Sequence, residues 1–458
     1  MSLRGALGAF WRARAPRWNH PARLVVLAFG AVTVLGTILL ALPIAAANGA
    51  ATNLVSALFT AVSAICVTGL IVVDTPTHWS SFGEVVILAL IQVGGFGIMT
   101  LASLLTLLVS RRIGLRLQLT AQAETKALGL GDVRKVIGGV IVVGLAIEIV
   151  VAALLALRFA TGYDEPLGRA LYLGIFHAIS AYNNAGFALY TDSLVGFATD
   201  PLVCLPILFA VIAGGLGYPV LFEVGRRCLR RGRHRWSLHT KITVPVYFAL
   251  LVIGAAAVLA FEWGNTATLG KLDLHHKLLV GLFHGVMPRT AGFNSLDVSQ
   301  LEPATLLIND ILMFIGGGSA GTAGGIKVTT FALLAYVILA EIRGEPTVHL
   351  MGRRLSAAVQ RQALTVALLG VGAVTAATVV LLSITSFPLD DVLFEVTSAF
   401  GTVGLSTGIT AQLPVTGQLV LIALMIIGRL GPITLASALA LRERARRYEL
   451  PEERPIVG

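Results

Sequence analysis

The chain has 458 residues, of which 56% are hydrophobic and only 13% charged, too little charge to cover a soluble domain, so it belongs to the integral membrane class. A formal net charge of +10 does not point to nucleic acid, because the basic residues stand in short runs between long apolar stretches, the pattern of membrane orientation. Cys66, Cys204 and Cys228 form neither a disulfide framework nor a metal-ligand spacing.

Arg4, Arg12, Arg14, Arg17 and Arg23 precede an apolar run from Leu24 to Ile44, long for a cleaved signal and right for a retained transmembrane helix. Apolar segments able to cross a bilayer follow, giving spans at 24–46, 82–110, 134–160, 201–224, 242–262, 304–340, 361–386 and 414–441. Between alternate pairs lie shorter segments at 53–66, 168–183, 275–288 and 389–401, each too short to span and read as half-helices that re-enter the membrane. Arginine clusters sit at the N-terminus, at Arg111, Arg112 and Arg116, from Arg226 to Arg235, at Arg343, Arg353 and Arg354, and from Arg442 to Arg447. The opposite loops carry Asp74, Asp164, Glu165, Asp192, Asp200, Glu262, Asp273, Asp297, Asp390 and Asp391, with only Arg169, Lys271, Lys277 and Arg289 as scattered bases. By the positive-inside rule both termini are cytoplasmic and the four short segments dip in from outside; the membrane is expected to be the plasma membrane.

An internal repeat organises these elements. Phe59, Ser63, Ala64, Gly69 and Leu70 recur with the same spacing as Phe176, Ser180, Ala181, Gly186 and Phe187, and again as Phe394, Ser398, Ala399, Gly404 and Leu405. A fourth copy, from Phe283 to Gly292 and Phe293, is one residue shorter and has Met287-Pro288 in place of Ser-Ala. Each repeat glycine is followed, about 25 residues on, by a glycine-rich stretch in the next span: Gly94 to Gly97, Gly214 to Gly217, Gly316 to Gly325 and Gly428 to Gly431. The expected organisation is a cytoplasmic segment 1–22, helix–pore loop–helix repeats at 23–112, 133–227, 240–344 and 358–445, and a cytoplasmic tail 446–458.

Irregular backbone at membrane depth is tolerated where it lines a polar path, since unpaired carbonyls in lipid cost several kcal/mol each. Carbonyls converging from several such loops replace an alkali cation's hydration shell. The residues offering them are Val67, Thr68 and Gly69; Asn184, Ala185 and Gly186; Thr290, Ala291 and Gly292; and Thr402, Val403 and Gly404. Asp74, Asp192 and Asp297 follow the first three glycines, where carboxylates around a mouth favour cations over anions. The third repeat is too glycine-rich to stay helical. Gly316, Gly317, Gly318, Ser319, Gly321, Gly324 and Gly325, with Lys327 at the end of the run, suit a mobile constriction below the filter. Arg429 occupies the slot of Gly95 and Gly215 in sister repeats and is read as an electrostatic gate against that loop, the alternative being a structural ion pair with Glu148. Asp310 is a further intramembrane charge, and His177 and His284 are read as packing residues of the pore helices.

The stretches 66–70, 182–187, 288–293 and 401–405 resemble the Trk/Ktr/HKT superfamily of potassium transporters, and the likeness extends over essentially the whole chain, most of all to the membrane subunit of its Ktr branch. The resemblance implies an all-α integral membrane protein with its four repeats in pseudo-fourfold symmetry round one pore, working as a homodimer surrounded by membrane lipid. It further implies potassium as the transported ion, leaves sodium-linked uptake open, and implies a cytosolic ring of nucleotide-binding RCK-type (KtrA-type) regulatory subunits, the nucleotide being bound only by that partner. A secondary transporter of another small solute is the alternative; it predicts two related halves rather than four quarters. A membrane enzyme would need a cluster of His, Asp, Glu or Ser at a membrane face, which is not visible, so the chain is expected not to be an enzyme.

Overall fold

Caps and prolines set where the helices begin. Asn53, Ser80, Asp200, Ser237 and Ser356 each accept a hydrogen bond from a backbone N–H in the first turn of the helix that follows, satisfying donors that have no partner inside the helix. Prolines in the first turn at Pro201 and Pro303 lose nothing there, because that N–H is orphaned in any case.

The computed structural model describes residues 21–97, 133–229, 236–319 and 321–431. Most of the N-terminal arginines, those at 111–116, 230–235 and 442–447, the span 82–110 beyond 97 and the tail 446–458 lie outside the described residues. The elements come in four sets. The first holds α1 (Pro21–Ala41), α2 (Leu54–Ile65), the one-turn α3 (Thr75–His78) and α4 (Ser81–Phe96). The second holds α5 (Val133–Gly162), α6 (Leu167–Tyr182), α7 (Pro201–Leu216) and α8 (Tyr218–Leu229). The third is α9 (Leu238–Glu262), α10 (Leu274–Val286), α11 (Pro303–Phe314) and α12 (Val328–Ile342), and the fourth α13 (Ala357–Ile384), α14 (Leu389–Gly401) and α15 (Val415–Leu430). The fold is all-α; the strands among the described residues are a hairpin of two-residue strands, β1 (His349–Leu350) and β2 (Arg353–Arg354).

Apolar side chains fill the interior and also cover much of the exposed surface. The short helices α2, α6, α10 and α14 form the centre, with Phe59, Phe176, Phe283 and Phe394 all buried. The long helices expose their apolar side chains outward, for example Val142, Ile149, Val252 and Leu368, as lipid-facing surfaces do. At one edge, Arg158 of α5 is ion-paired at 2.7 Å with Asp200, the cap of α7. Burial alone would raise the Asp200 carboxyl, but hydrogen bonds from Arg158, Tyr163 and the Leu202 N–H hold it below its ordinary range.

The spans depart from expectation at glycines. Helices α4, α7 and α15 each end at a glycine with φ between +79° and +89°: Gly97, Gly217 and Gly431, a conformation that costs glycine little. At Gly217 the chain turns by 105° into α8, so the expected continuous span 201–224 is two helices. The span 304–340 is likewise divided into α11 and α12, as its glycine run predicts. Among the described residues three helices are long and apolar enough to cross a bilayer, Gly138–Gly162, Leu238–Glu262 and Ala357–Ile384, or four if the bent pair counts as one span. The remaining apolar helices there are 10–17 residues long.

Candidate ion pathway

Each short helix runs directly into one of the four glycine loops, and the loops share one backbone pattern. The first residue of each expected triad has positive φ: Val67 +56°, Asn184 +59°, Thr290 +74° and Thr402 +49°. The third residue does too: Gly69 +93°, Gly186 +70°, Gly292 +68° and Gly404 +97°. Alternation of left-handed and ordinary residues turns successive carbonyls to the same side of the chain, which neither a helix nor a strand does. A β-branched Val or Thr in that region is strained, by about 1–3 kcal/mol each, and persists only where its surroundings over-determine it.

The surroundings do so through the N–H groups. The N–H of Thr68, Ala185 and Val403 donates to the carbonyl of Ser63, Ser180 and Ser398 at 2.8, 2.7 and 2.9 Å, and that of Ala291 to Met287 at 3.0 Å. The N–H of Gly69 and of Gly404 donates to the hydroxyl of Ser63 and of Ser398, both at 3.1 Å. These bonds account for the serine in the first and fourth repeats, while in the second Ser180 donates its hydroxyl to the Phe187 carbonyl at 2.7 Å. Donors are thereby spent on the pore helices, whereas among the described residues none of the twelve triad carbonyls accepts a hydrogen bond.

The loops also meet. A Cβ on Gly69 would stand 2.4 Å from the Ala185 oxygen and 3.2 Å from Gly186 Cα. One on Gly186 would be 2.9 Å from the Ala291 oxygen and 3.0 Å from Gly292 Cα. One on Gly292 would be 2.2 Å from the Val403 oxygen and 3.1 Å from Gly404 Cα, and one on Gly404 2.1 Å from the Thr68 oxygen and 3.0 Å from Gly69 Cα. The glycines thus form a closed ring in the order 69, 186, 292, 404 and back to 69. The helix C-termini that feed the ring place the negative ends of four dipoles beneath it. Of the acids expected at the mouth, Asp74 accepts from Thr77 and Thr191, Asp192 from the Gly196 N–H, and Asp297 from Ser299, so each also stabilises its own turn.

The described residues of this stretch, 315–319 and 321–327, pack against the end of the ring fed by the short helices. A Cβ on Gly324 would be 2.1 Å from Thr402 Oγ1, and Thr322 donates its hydroxyl to Asn184 Oδ1 at 2.8 Å, so the loop reaches from the fourth glycine loop to the second. Its N–H groups are met by the frayed end of α7: Gly318 donates to the Gly215 carbonyl at 2.7 Å and Thr322 to that of Gly214 at 3.3 Å. Its carbonyls are met by cations. Arg429 donates to the Thr322 carbonyl and to that of Gly94, Lys327 to those of Ala323 and Gly324, and Arg289 to Gly316 at 2.8 Å. Ser319 pairs with Thr329, 2.7 Å between hydroxyls; Gly317 accepts from the Val328 N–H at 3.0 Å, Gly321 donates to Gly318 at 3.3 Å, and Gly325 turns the chain with φ +62°.

Two expectations change at this level. Glu148 is not the partner of Arg429 by these bonds: its carboxylate accepts from Gln92 at 2.9 and 3.2 Å and from Asn183 at 3.1 Å. Arg289, expected among the scattered loop bases, is wholly buried. Asp310 is buried with Oδ1 unpartnered. His177 and His284 are buried, His177 held by the Leu173 carbonyl and His284 facing Asn309. The positive φ at Val67, Thr290 and Thr402 had no signal in residue type; only their place before a repeated glycine hinted at it.

Comparison with known proteins places the whole chain. Residues 7–446 match the family model TrkH, cation transport protein. The chain is 38% identical to the Ktr system potassium uptake protein B of Bacillus subtilis, over 93% of this chain and 94% of that one. It is 34% identical to the potassium/sodium uptake protein NtpJ of Enterococcus hirae, over 98% and 99%. In structure it is similar to the potassium transporter TrkH of Vibrio parahaemolyticus, with TM-score 0.72 at 16% identity, over 93% of this chain and 86% of that one.

Proposed function

The chain belongs to the TrkH family of cation transport proteins, and from that premise we propose that it is a potassium uptake transporter, not an enzyme, that conducts the ion through the glycine ring. The carrying observation is the ring itself: four left-handed glycines in mutual contact, with twelve carbonyls that no donor among the described residues satisfies. A dehydrated alkali cation is the partner such oxygens fit, and the helix C-termini beneath them add negative potential. Relatives whose names specify potassium, or potassium and sodium, support the choice of ion, and sodium is the second cation to test.

In this reading the triads Val67–Gly69, Asn184–Gly186, Thr290–Gly292 and Thr402–Gly404 are the filter, and the loop Gly316–Gly325 with Lys327 and Arg429 is the gate. Arg429 joins a loop carbonyl to one from α4, so it can hold the loop across the path while shut. The protein sits in the plasma membrane with cytoplasmic termini, works as a homodimer and is regulated by a cytosolic nucleotide-binding RCK ring; the relative named as one protein of a Ktr system supports partner subunits of some kind. The four-unit repetition favours a pore over a secondary transporter of another solute. Expression in a strain lacking potassium uptake tests the reading: growth at low potassium should be restored, with rubidium influx, and more strongly when an RCK subunit is co-expressed. Correct membrane insertion without growth or rubidium influx overturns it.

A further inference from the structure

Arg289 precedes the third filter triad by one peptide bond, yet its side chain points away into the core. It is 0% exposed, and among the described residues no carboxylate is ion-paired with it. Its Nη2 donates to the Gly316 carbonyl at 2.8 Å, and its Cζ lies 4.8 Å from the centre of the Tyr247 ring. Nε and Nη1 are buried with no acceptor, as is the Tyr247 hydroxyl. A guanidinium at membrane depth with one hydrogen bond is costly and is kept only where its position is over-determined.

The sister positions sharpen the point. The residues before the other triads are Cys66, Asn183 and Gly401, none of them a cation. Asn183 turns instead to Gln92, Glu148 and the Ile179 carbonyl. The cation therefore occurs in the one repeat whose second span opens into the glycine loop, and it grips the first glycine of that loop. Tyr247 fixes the direction of the grip. A Cβ on Gly215 would be 2.5 Å from the Tyr247 hydroxyl, so the tyrosine is wedged against the end of α7 and presents its ring face to the guanidinium.

We propose that Arg289 is a positioning residue that couples the third filter loop to the gating loop. Its backbone belongs to the filter strand and its head to Gly316, so a displacement of the loop is transmitted to Thr290, Ala291 and Gly292. Movement of Gly316 away from Arg289 strands a buried charge, which holds the loop in its shut position. The assignment deepens the filter-and-gate reading and rests on it.

The test uses the full-length protein in vesicles, measuring rubidium influx per inserted molecule and the rubidium-to-sodium ratio, which does not depend on how much protein folds. Arg289→Met should raise basal influx and lower the ratio, each by about fivefold, the low end for coupled sites. Arg289→Lys should fall between, since an ammonium reaches a carbonyl without the planar fork. Tyr247→Leu should resemble Arg289→Lys, while Tyr247→Phe should give a smaller change in the same direction, because it keeps the ring face under the guanidinium and loses only the hydroxyl packed on Gly215. In a protein lacking residues 317–321, Arg289→Lys should add nothing further to influx. If Arg289→Met does not insert, Arg289→Lys and Tyr247→Leu decide. Parental influx and ratio in both of those variants, or an Arg289→Lys effect that persists undiminished without the loop, overturns the coupling. A loop deletion that leaves influx unchanged refutes the gate itself, and the coupling with it.

Discussion

At the scale of single residues, the ring depends on backbone conformations that most side chains avoid. Gly292 has φ +68°, and a Cβ there would sit 2.2 Å from the Val403 oxygen; ordinary van der Waals contact is about 3.5 Å. Gly292→Ser must therefore push the third and fourth loops apart, and a wider ring tells potassium from sodium less well. We expect the rubidium-to-sodium influx ratio to drop about tenfold, or ~1.4 kcal/mol of discrimination. An unchanged ratio in a correctly inserted variant would refute the filter. The serines act at the same scale: Ser63 and Ser398 hold the N–H of Gly69 and Gly404, so these donors do not compete for the loop carbonyls.

At the scale of elements, the decisive feature is where helices stop. Gly97, Gly217 and Gly431 end α4, α7 and α15, and the released carbonyls of Gly94, Gly214 and Gly215 accept from Arg429 or from the loop of the third unit. One broken helix thus supplies the partners that another lacks, which irregular backbone in a membrane requires. Hydrogen bonds from a charged donor contribute about 1.5–3 kcal/mol each, and Arg429 makes one to the loop and one to α4. Arg429→Ala should raise basal rubidium influx about tenfold without an RCK partner, that is ~1.4 kcal/mol off the shut state. A variant that inserts normally and conducts at the parental rate shows that Arg429 does not hold the gate.

At the scale of the whole molecule, small apolar and aromatic residues pack round the short helices, while the long helices turn branched side chains outward. Ile149 is 67% exposed on α5, a position that faces lipid if the helix spans. Ile149→Asp should cost about 2.5–3.5 kcal/mol of insertion free energy and sharply reduce the membrane-inserted fraction on fractionation, while Ile149→Leu should leave it unchanged. Equal insertion of the aspartate variant would show that this face is covered by protein.

The sequence by itself determined the membrane class, the four-fold recurrence of Phe and Gly with a Ser between them in three of the copies, and the break in the third unit, because each is a matter of composition or period along one chain. It also singled out Arg429, since a charge in a glycine slot is visible without coordinates. Period cannot say which loop neighbours which, so the closed order of Gly69, Gly186, Gly292 and Gly404 came only from packing. Nor does residue type reveal that a valine or threonine is held left-handed. The bend at Gly217 and the burial of Arg289 were likewise decided by tertiary structure. A glycine bends a helix only when something accepts the freed backbone, and an arginine next to a loop is buried only when a neighbouring unit offers a carbonyl and a ring to receive it.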